Sequence, residues 1–108
     1  MVKTRQEIDR ILDRYRRTLS ALGIAAEQVI LFGSYATGKA KEVSDIDVLI
    51  VSSDFQGKNV RERLELLGVA AVRIMEPIQA YGFTPEEMVS GEKSSFLKEI
   101  LEYGRVAA

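Results

Sequence analysis

Two aspartates, Asp45 and Asp47, stand one residue apart at the head of an apolar run formed by Ile46, Val48, Leu49, Ile50 and Val51. In a strand, residues i and i+2 point to the same face, so both carboxylates would project together from one end of a buried strand. A hydrophobic strand gains nothing from two adjacent like charges unless a cation neutralises them. Carboxylate oxygens suit a hard cation of the Mg²⁺ type, and such an ion can face phosphates. An isolated Asp-x-Asp is usually a surface turn. Here the pair follows Gly33 by twelve residues and leads directly into the apolar run, which favours a ligand-binding reading.

The stretch before the pair supplies a second element of the same chemistry. Val29, Ile30, Leu31 and Phe32 form a buried strand-like run that ends at Gly33-Ser34, and Ser34 to Gly38 reads as a short helical turn. A strand followed by Gly-Ser and a helix start places free backbone N–H groups where they can meet an anion. Gly33 would let the backbone approach a phosphate, and the Ser34 hydroxyl adds a donor. Taken alone, this turn is weak evidence, because most such turns bind nothing.

Composition narrows the remaining options. The 108-residue chain has 46% hydrophobic and 29% charged residues and a net charge of −1, as expected for one soluble globular domain spanning residues 1–108. No strong field draws nucleic acid or an anionic membrane. There is no cysteine and no histidine, which excludes disulfides, thiolate nucleophiles, Cys/His zinc sites and histidine general-base chemistry. Catalysis would have to use carboxylates, hydroxyls, Lys, Arg or a bound metal. No apolar run approaches membrane-spanning length and no apolar leader precedes the first helix, so a cytoplasmic location is expected.

The elements that must carry these residues follow from periodicity. Thr4 to Leu22 reads as a helix with Ile8, Ile11, Leu12, Tyr15, Leu19 and Leu22 at helical spacing, a Thr4/Glu7 capping box and Gly23 as its stop. Its other face carries Arg10, Arg14, Arg16 and Arg17, read chiefly as a solvated face. Strands are expected at Glu27–Phe32 and Ser44–Ser52. A helix is expected from Asn59 to about Ala71, with Gly68 weakening its later turns. A third strand at Met75–Phe83 contains Pro77 and Gly82, which point to an edge, a bulge or the strand's ends. Thr84-Pro85-Glu86-Glu87 starts a helix that runs to about Val89, Ser90 and Gly91 interrupt it, and Ser94–Tyr103 forms the last helix before Gly104.

Gly33 to Gly38 (GSYATG) and Ser44 to Val51 (SDIDVLIV) together resemble the signature of the nucleotidyltransferase superfamily related to DNA polymerase β. Within it the likeness is to the small stand-alone prokaryotic members, the minimal nucleotidyltransferases. A weaker match runs from YGFTPEEM through SSFLKEILEYGRV, so the likeness extends over most of the chain. The resemblance implies an α+β fold, a small mixed β-sheet with helices packed mainly on one face. It implies transfer of a nucleoside monophosphate from an NTP to an acceptor hydroxyl, with release of pyrophosphate. By position, Gly33 and Ser34 match residues that hold the triphosphate. Ser44, which opens the second motif, joins them as a nucleotide-binding candidate. Asp45 and Asp47 match the two metal-binding, catalytic carboxylates, with Mg²⁺ or Mn²⁺ as the metal and an NTP, ATP first, as substrate.

The chain departs from the family pattern twice. Relatives carry a third carboxylate on a later strand, and spacing to the Thr84 helix start places that position at Gln79. A neutral amide coordinates weakly and cannot act as a base at pH 7. Glu76 is the nearest carboxylate upstream, but a shift of three residues turns it to the opposite strand face unless a bulge near Pro77 corrects the register. The second departure is at Tyr35 and Thr37, where many relatives place arginines; Lys39 and Lys41 are the nearby cations.

Two functions compete. The first is an enzyme that transfers AMP from ATP to a hydroxyl of a partner protein. Small relatives act beside a helical HEPN-type protein as the antitoxin of a toxin–antitoxin pair, so such a partner is expected, and homodimerisation is the other assembly that the size permits. The second is a nucleotide- and metal-binding module with weak or lost catalysis that neutralises its helical partner by contact. Modification of a small molecule, as in aminoglycoside nucleotidyltransferases, fits less well in 108 residues without an added helical domain. The near-neutral charge argues against nucleic acid as partner.

Overall fold

The computed structural model describes residues 2–90 and 95–107. Helix α1 (Arg5–Ala21) begins on the Thr4/Glu7 capping box and buries Ile8, Ile11, Leu12, Tyr15 and Leu19. Strand β1 (Gln28–Phe32), the single turn α2 (Ser34–Thr37) and strand β2 (Ile46–Val51) follow. A 3₁₀ turn (Ser53–Phe55) leads to α3 (Val60–Ile74), β3 (Ile78–Phe83), α4 (Pro85–Val89), α5 (Ser95–Tyr103) and a two-residue strand β4 (Arg105–Val106). Among the described residues this makes a four-stranded mixed sheet with five α-helices, an α+β fold as the resemblance implied.

The sheet order is β3-β2-β1-β4. β1 runs antiparallel to both β2 and β4, whereas β2 and β3 are parallel. The alternation along β2 assigns its two faces. Ile46, Val48 and Ile50 pack into one cluster with the α1 residues and with Leu67, Ala70, Ala71 and Ile74 of α3. Leu49 and Val51 point the other way, toward Leu97 and Ile100 of α5. The long helices thus share one face, and the shorter α5 covers part of the other. Tyr15, wholly buried under α3, donates its hydroxyl to Leu67 O at 2.8 Å, which satisfies the one polar atom that this ring carries into the core.

Element boundaries shift from expectation for local reasons. α3 passes through Gly68 to Ile74, three residues beyond the expected end, because Ala70, Ala71 and Ile74 are buried against the sheet and α1. It stops at Met75, which takes the left-handed cap conformation (φ 55). Pro77 then stays outside β3, which starts at Ile78 and lies at the sheet edge, while the Pro77 carbonyl accepts from Ile46 N at 2.8 Å. β4 was not foreseen. Gly104 permits it, since a Cβ there would lie 2.4 Å from Ile100 O and 2.9 Å from the Ile30 side chain. The expected interruption at Gly91 and the helix start at Ser94 lie outside the described residues; α5 is described from Ser95. Among the described residues no helix is long and apolar enough to cross a membrane.

One charged side chain clamps the end of the sheet remote from Asp47. Arg63 of α3, only 11% exposed, donates to Phe55 O, Lys58 O and Gly82 O and pairs with Glu87 Oε1 at 2.6 Å. Burial pushes the Glu87 carboxyl up, but hydrogen bonds from Arg63 and Thr84 outweigh it and hold the group below its ordinary value. Arg63→Ala strands three carbonyls and a carboxylate, and is expected to cost about 3 kcal/mol in denaturant unfolding. The Glu87 contribution is present above the ordinary carboxylate pKa and lost as pH falls through the lowered folded value. The difference in stability between wild type and Arg63→Ala should therefore shrink on acidification below about pH 4.

Candidate functional site

β1 ends at Phe32, which pairs with Asp47 in the antiparallel ladder, and Asp47 pairs on its other side with Gln79 of parallel β3. The C-terminal end of β1 and the N-terminal ends of β2 and β3 therefore meet at one end of the sheet. Asp47 shares the face of Leu49 and Val51, the face that α5 partly covers. It is half-buried, while Asp45, just ahead of the strand, is exposed. Burial first, and then the negative charge of Asp45, push the Asp47 carboxyl above its ordinary value. Among the described residues neither forms an ion pair with Lys or Arg.

Gly33 closes the site from the β1 side. Its φ of 71° and ψ of −152° lie at the edge of a region that only glycine occupies readily. A Cβ there would sit 2.2 Å from Asp47 Oδ2 and 3.0 Å from its Cγ. The bend and the aspartate are thus in van der Waals contact, and the missing side chain is what allows it. Ser34 opens α2 directly after this bend, and Gly38 ends α2 in the left-handed conformation. Thr37 Oγ1 donates to Gly33 O at 3.3 Å, which ties the turn back onto the bend.

The other residues singled out in the sequence have local partners of their own or are exposed. Ser44 Oγ accepts from Lys41 N at 2.8 Å, so it closes the turn that delivers Asp45. Among the described residues no acceptor for its own hydroxyl proton is recorded. Tyr35 packs against the main core and its hydroxyl accepts from Lys3 N at 3.4 Å; Lys39 and Lys41 are exposed. Of the helical arginines, Arg14 pairs with Glu76, Arg16 donates to Ala26 O, and Arg17 pairs with Asp13.

The structure separates the two candidates for a third metal ligand. Gln79 stands beside Asp47 in register. Glu76 lies before β3 and its carboxylate faces Arg14 of α1 at 3.8 Å, on the side of the sheet away from Asp47. No bulge carries it back: β2 and β3 stay in step from Ile46↔Ile78 to Val51↔Phe83. Glu76, expected as a possible metal ligand only if a bulge restored the register, thus faces Arg14 on the helix side of the sheet. Among the described residues no group of three Asp or Glu gathers around a metal position. Two hard oxygen donors, one half-buried and neither neutralised by a cation, still fit a divalent ion of the Mg²⁺ or Mn²⁺ type.

A further feature escaped the sequence reading. A cleft of about 260 Å³ opens beside the bend, with Phe32, Gly33 and Thr37 on one side and Phe96, Glu99, Ile100 and Tyr103 of α5 on the other. Its only signal in the sequence is the spacing of Phe96, Glu99 and Tyr103 on one side of an amphipathic helix. That pattern alone reads as a partly solvated helix edge.

Comparison with known proteins agrees with this geometry. Residues 12–106 match the family described as the nucleotidyltransferase domain. A candidate protein adenylyltransferase of Methanocaldococcus jannaschii is 30% identical over 101 residues, covering 91% of this chain and 96% of the relative. A crystal structure of a toxin–antitoxin with AMP-PNP superposes with a TM-score of 0.63 at 20% identity, covering 89% of this chain and 71% of that one. A tri-AMPylated Shewanella oneidensis HEPN toxin in complex with MNT antitoxin gives a TM-score of 0.59 at 14% identity, covering 97% and 72%. At these identities the two structures show a common fold.

Proposed function

Because this chain belongs to the nucleotidyltransferase-domain family, we propose that it transfers AMP from ATP to a hydroxyl of a helical, HEPN-type partner protein, as the antitoxin of such a pair. The observation that carries the reading is the contact between Gly33 and Asp47, which places the Gly-Ser bend against the Asp45/Asp47 pair. Phosphates on the bend would lie within reach of an ion on the carboxylates. Toxin–antitoxin complexes of the same fold support the choice of partner.

In this reading Asp45 and Asp47 hold the divalent ion, Mg²⁺ or Mn²⁺. Once bound, that ion supplies charge neutralisation on the phosphate oxygens during in-line displacement. Gly33 gives the triphosphate close access to the backbone, and the Ser34 and Ser44 hydroxyls donate to it. The acceptor hydroxyl attacks the α-phosphorus, the bond to the bridging oxygen breaks, and pyrophosphate leaves. The proton released from the acceptor cannot go to Gln79, whose amide is no base. With Asp45 and Asp47 engaged on the ion, solvent takes it, which predicts a slow enzyme.

Gln79 also favours a second reading, a module that binds nucleotide and partner but has lost turnover. Incubation with α-labelled ATP, Mg²⁺ and the HEPN-type partner separates the two. Label on the partner that vanishes with Asp45→Asn supports the enzyme. Stable partner binding without label supports the module. Gln79→Glu restores a carboxylate next to Asp47 in register. It should raise transfer at least about tenfold, and lower the stability of the metal-free protein by adding a like charge. An unchanged rate would mean that this position takes no part in the chemistry.

A further inference from the structure

We propose that the cleft between the Gly33 bend and α5 is the nucleobase subsite, with Phe96 and Tyr103 stacking on the base and Glu99 accepting from its exocyclic amine. The inference rests on the nucleotide-transfer reading and names the part of the substrate that reading leaves unplaced. Gly33 is shared: it touches Asp47 on one side and lines the cleft on the other. A nucleotide whose phosphates lie on the bend therefore has this cleft as an adjoining recess.

The size and lining fit a planar ring. At about 260 Å³ the cleft falls below the ~300–1,000 Å³ of sites that enclose drug-sized molecules. It would take a base but not a whole nucleotide. Phe96 and Tyr103 are seven residues apart on α5, two helical turns and about 10 Å along the axis, with Glu99 and Ile100 between them. A flat ring entering there meets an aromatic side chain from either end, an apolar floor at buried Ile100 and one carboxylate at the rim. Both aromatic side chains are substantially exposed, Phe96 at 41% and Tyr103 at 59%, a costly arrangement for a residue that only fills a core.

Phe96 is also held in place before any ligand arrives. Its ring meets Tyr81 at 5.1 Å and Phe32 edge-to-face at 5.7 Å. A ring fixed by two others loses little freedom on stacking, and base–aromatic stacking tolerates any base. Selection then falls to Glu99. Its carboxylate is an acceptor only, so it favours an exocyclic amine, as on adenine, and disfavours a carbonyl, as at O4 of uracil.

The test compares Mg²⁺-ATP, Mg²⁺-UTP and Mg²⁺-tripolyphosphate binding by calorimetry to wild type, Phe96→Leu, Tyr103→Ala and Glu99→Gln, each checked for fold by circular dichroism. Wild type should bind ATP about tenfold or more tighter than tripolyphosphate. Phe96→Leu and Tyr103→Ala should lose most of that advantage while tripolyphosphate binding stays constant, and Glu99→Gln should narrow the gap between ATP and UTP. An ATP advantage that survives both aromatic variants overturns the assignment. So does unchanged ATP affinity with a raised KM for the protein acceptor, which would give the cleft to an acceptor ring. If wild type binds neither ATP nor tripolyphosphate, the transferase reading falls with it. ATP binding that ignores the cleft variants removes this inference alone.

Discussion

Asp47→Asn should reduce nucleotidyl transfer by about a thousandfold or more and at the same time make the metal-free protein slightly more stable. Both effects have one cause. The Asp47 carboxylate is half-buried beside Asp45 with no cationic partner among the described residues, and its pKa is raised by burial and then by that neighbour. A raised carboxyl pKa means that the folded protein holds the proton more tightly than the unfolded chain. Stability therefore falls as pH rises from the ordinary aspartate value through the raised one, and the full penalty persists above it. Asparagine removes that penalty, so the variant should be slightly more stable than wild type at pH 7. The gain should fade as pH falls below about 4, as the folded and unfolded wild type both take up the proton. Mg²⁺ should raise the melting temperature of wild type and leave that of Asp47→Asn unmoved. Thermal unfolding with and without Mg²⁺ across pH reads all three effects. A variant less stable than wild type at neutral pH, with an unchanged Mg²⁺ response, would show that Asp47 serves the fold rather than a cation.

Gly33→Ala should be nearly as damaging to activity, and it should also weaken the fold. The backbone at Gly33 has φ 71° and ψ −152°, a conformation that costs a residue with a side chain about 1–3 kcal/mol. The new Cβ would overlap Asp47 Oδ2 at 2.2 Å and press on its Cγ and Cβ at 3.0 and 3.1 Å. Rotating the carboxylate away relieves the overlap but moves it from the position it holds beside the bend. Destabilisation of about 2–4 kcal/mol is expected in urea unfolding, with at least a hundredfold loss of transfer per folded molecule. The control is Gly23→Ala. Gly23 also has a positive φ, 91°, but a Cβ there meets nothing within 4 Å. That variant should lose stability through backbone strain alone and keep its activity.

The candidate site was legible where chemistry and local spacing coincide. An Asp-x-Asp at the mouth of an apolar run brings the two carboxylates close enough to interact, although Asp45 lies just ahead of β2. Strand periodicity set Glu76 and Gln79, three residues apart, on opposite faces only on condition that no bulge intervened, and the unbroken β2/β3 register supplied that condition. The elements with strong caps, at Thr4/Glu7 and Thr84/Glu87, came out close to their expected bounds because both partners lie within four residues. What could not be read depends on contacts distant in sequence. The end of α3 is set by burial of Ile74 rather than by helix propensity around Gly68. β4 exists because residues 105–106 find the open edge of β1, some seventy-five positions away in the chain. The aromatic cluster beside the cleft likewise needs Phe32, Tyr81 and Phe96 together, from three different elements. Nothing local to Phe96 distinguishes a residue in that cluster from one on an ordinary amphipathic helix.

The central claim is that Asp45 and Asp47 grip a divalent ion and, with the Gly33–Ser34 bend, the phosphate tail it accompanies. A crystal structure of this chain soaked with Mg²⁺ and a non-hydrolysable ATP analogue tests it most directly. The account predicts at least one metal ligated by both aspartates, with triphosphate oxygens against the backbone of Gly33 and the Ser34 hydroxyl and Glu76 still turned toward Arg14. Nucleotide bound elsewhere on the molecule, or triphosphate at the bend with no metal touching either aspartate, would contradict it.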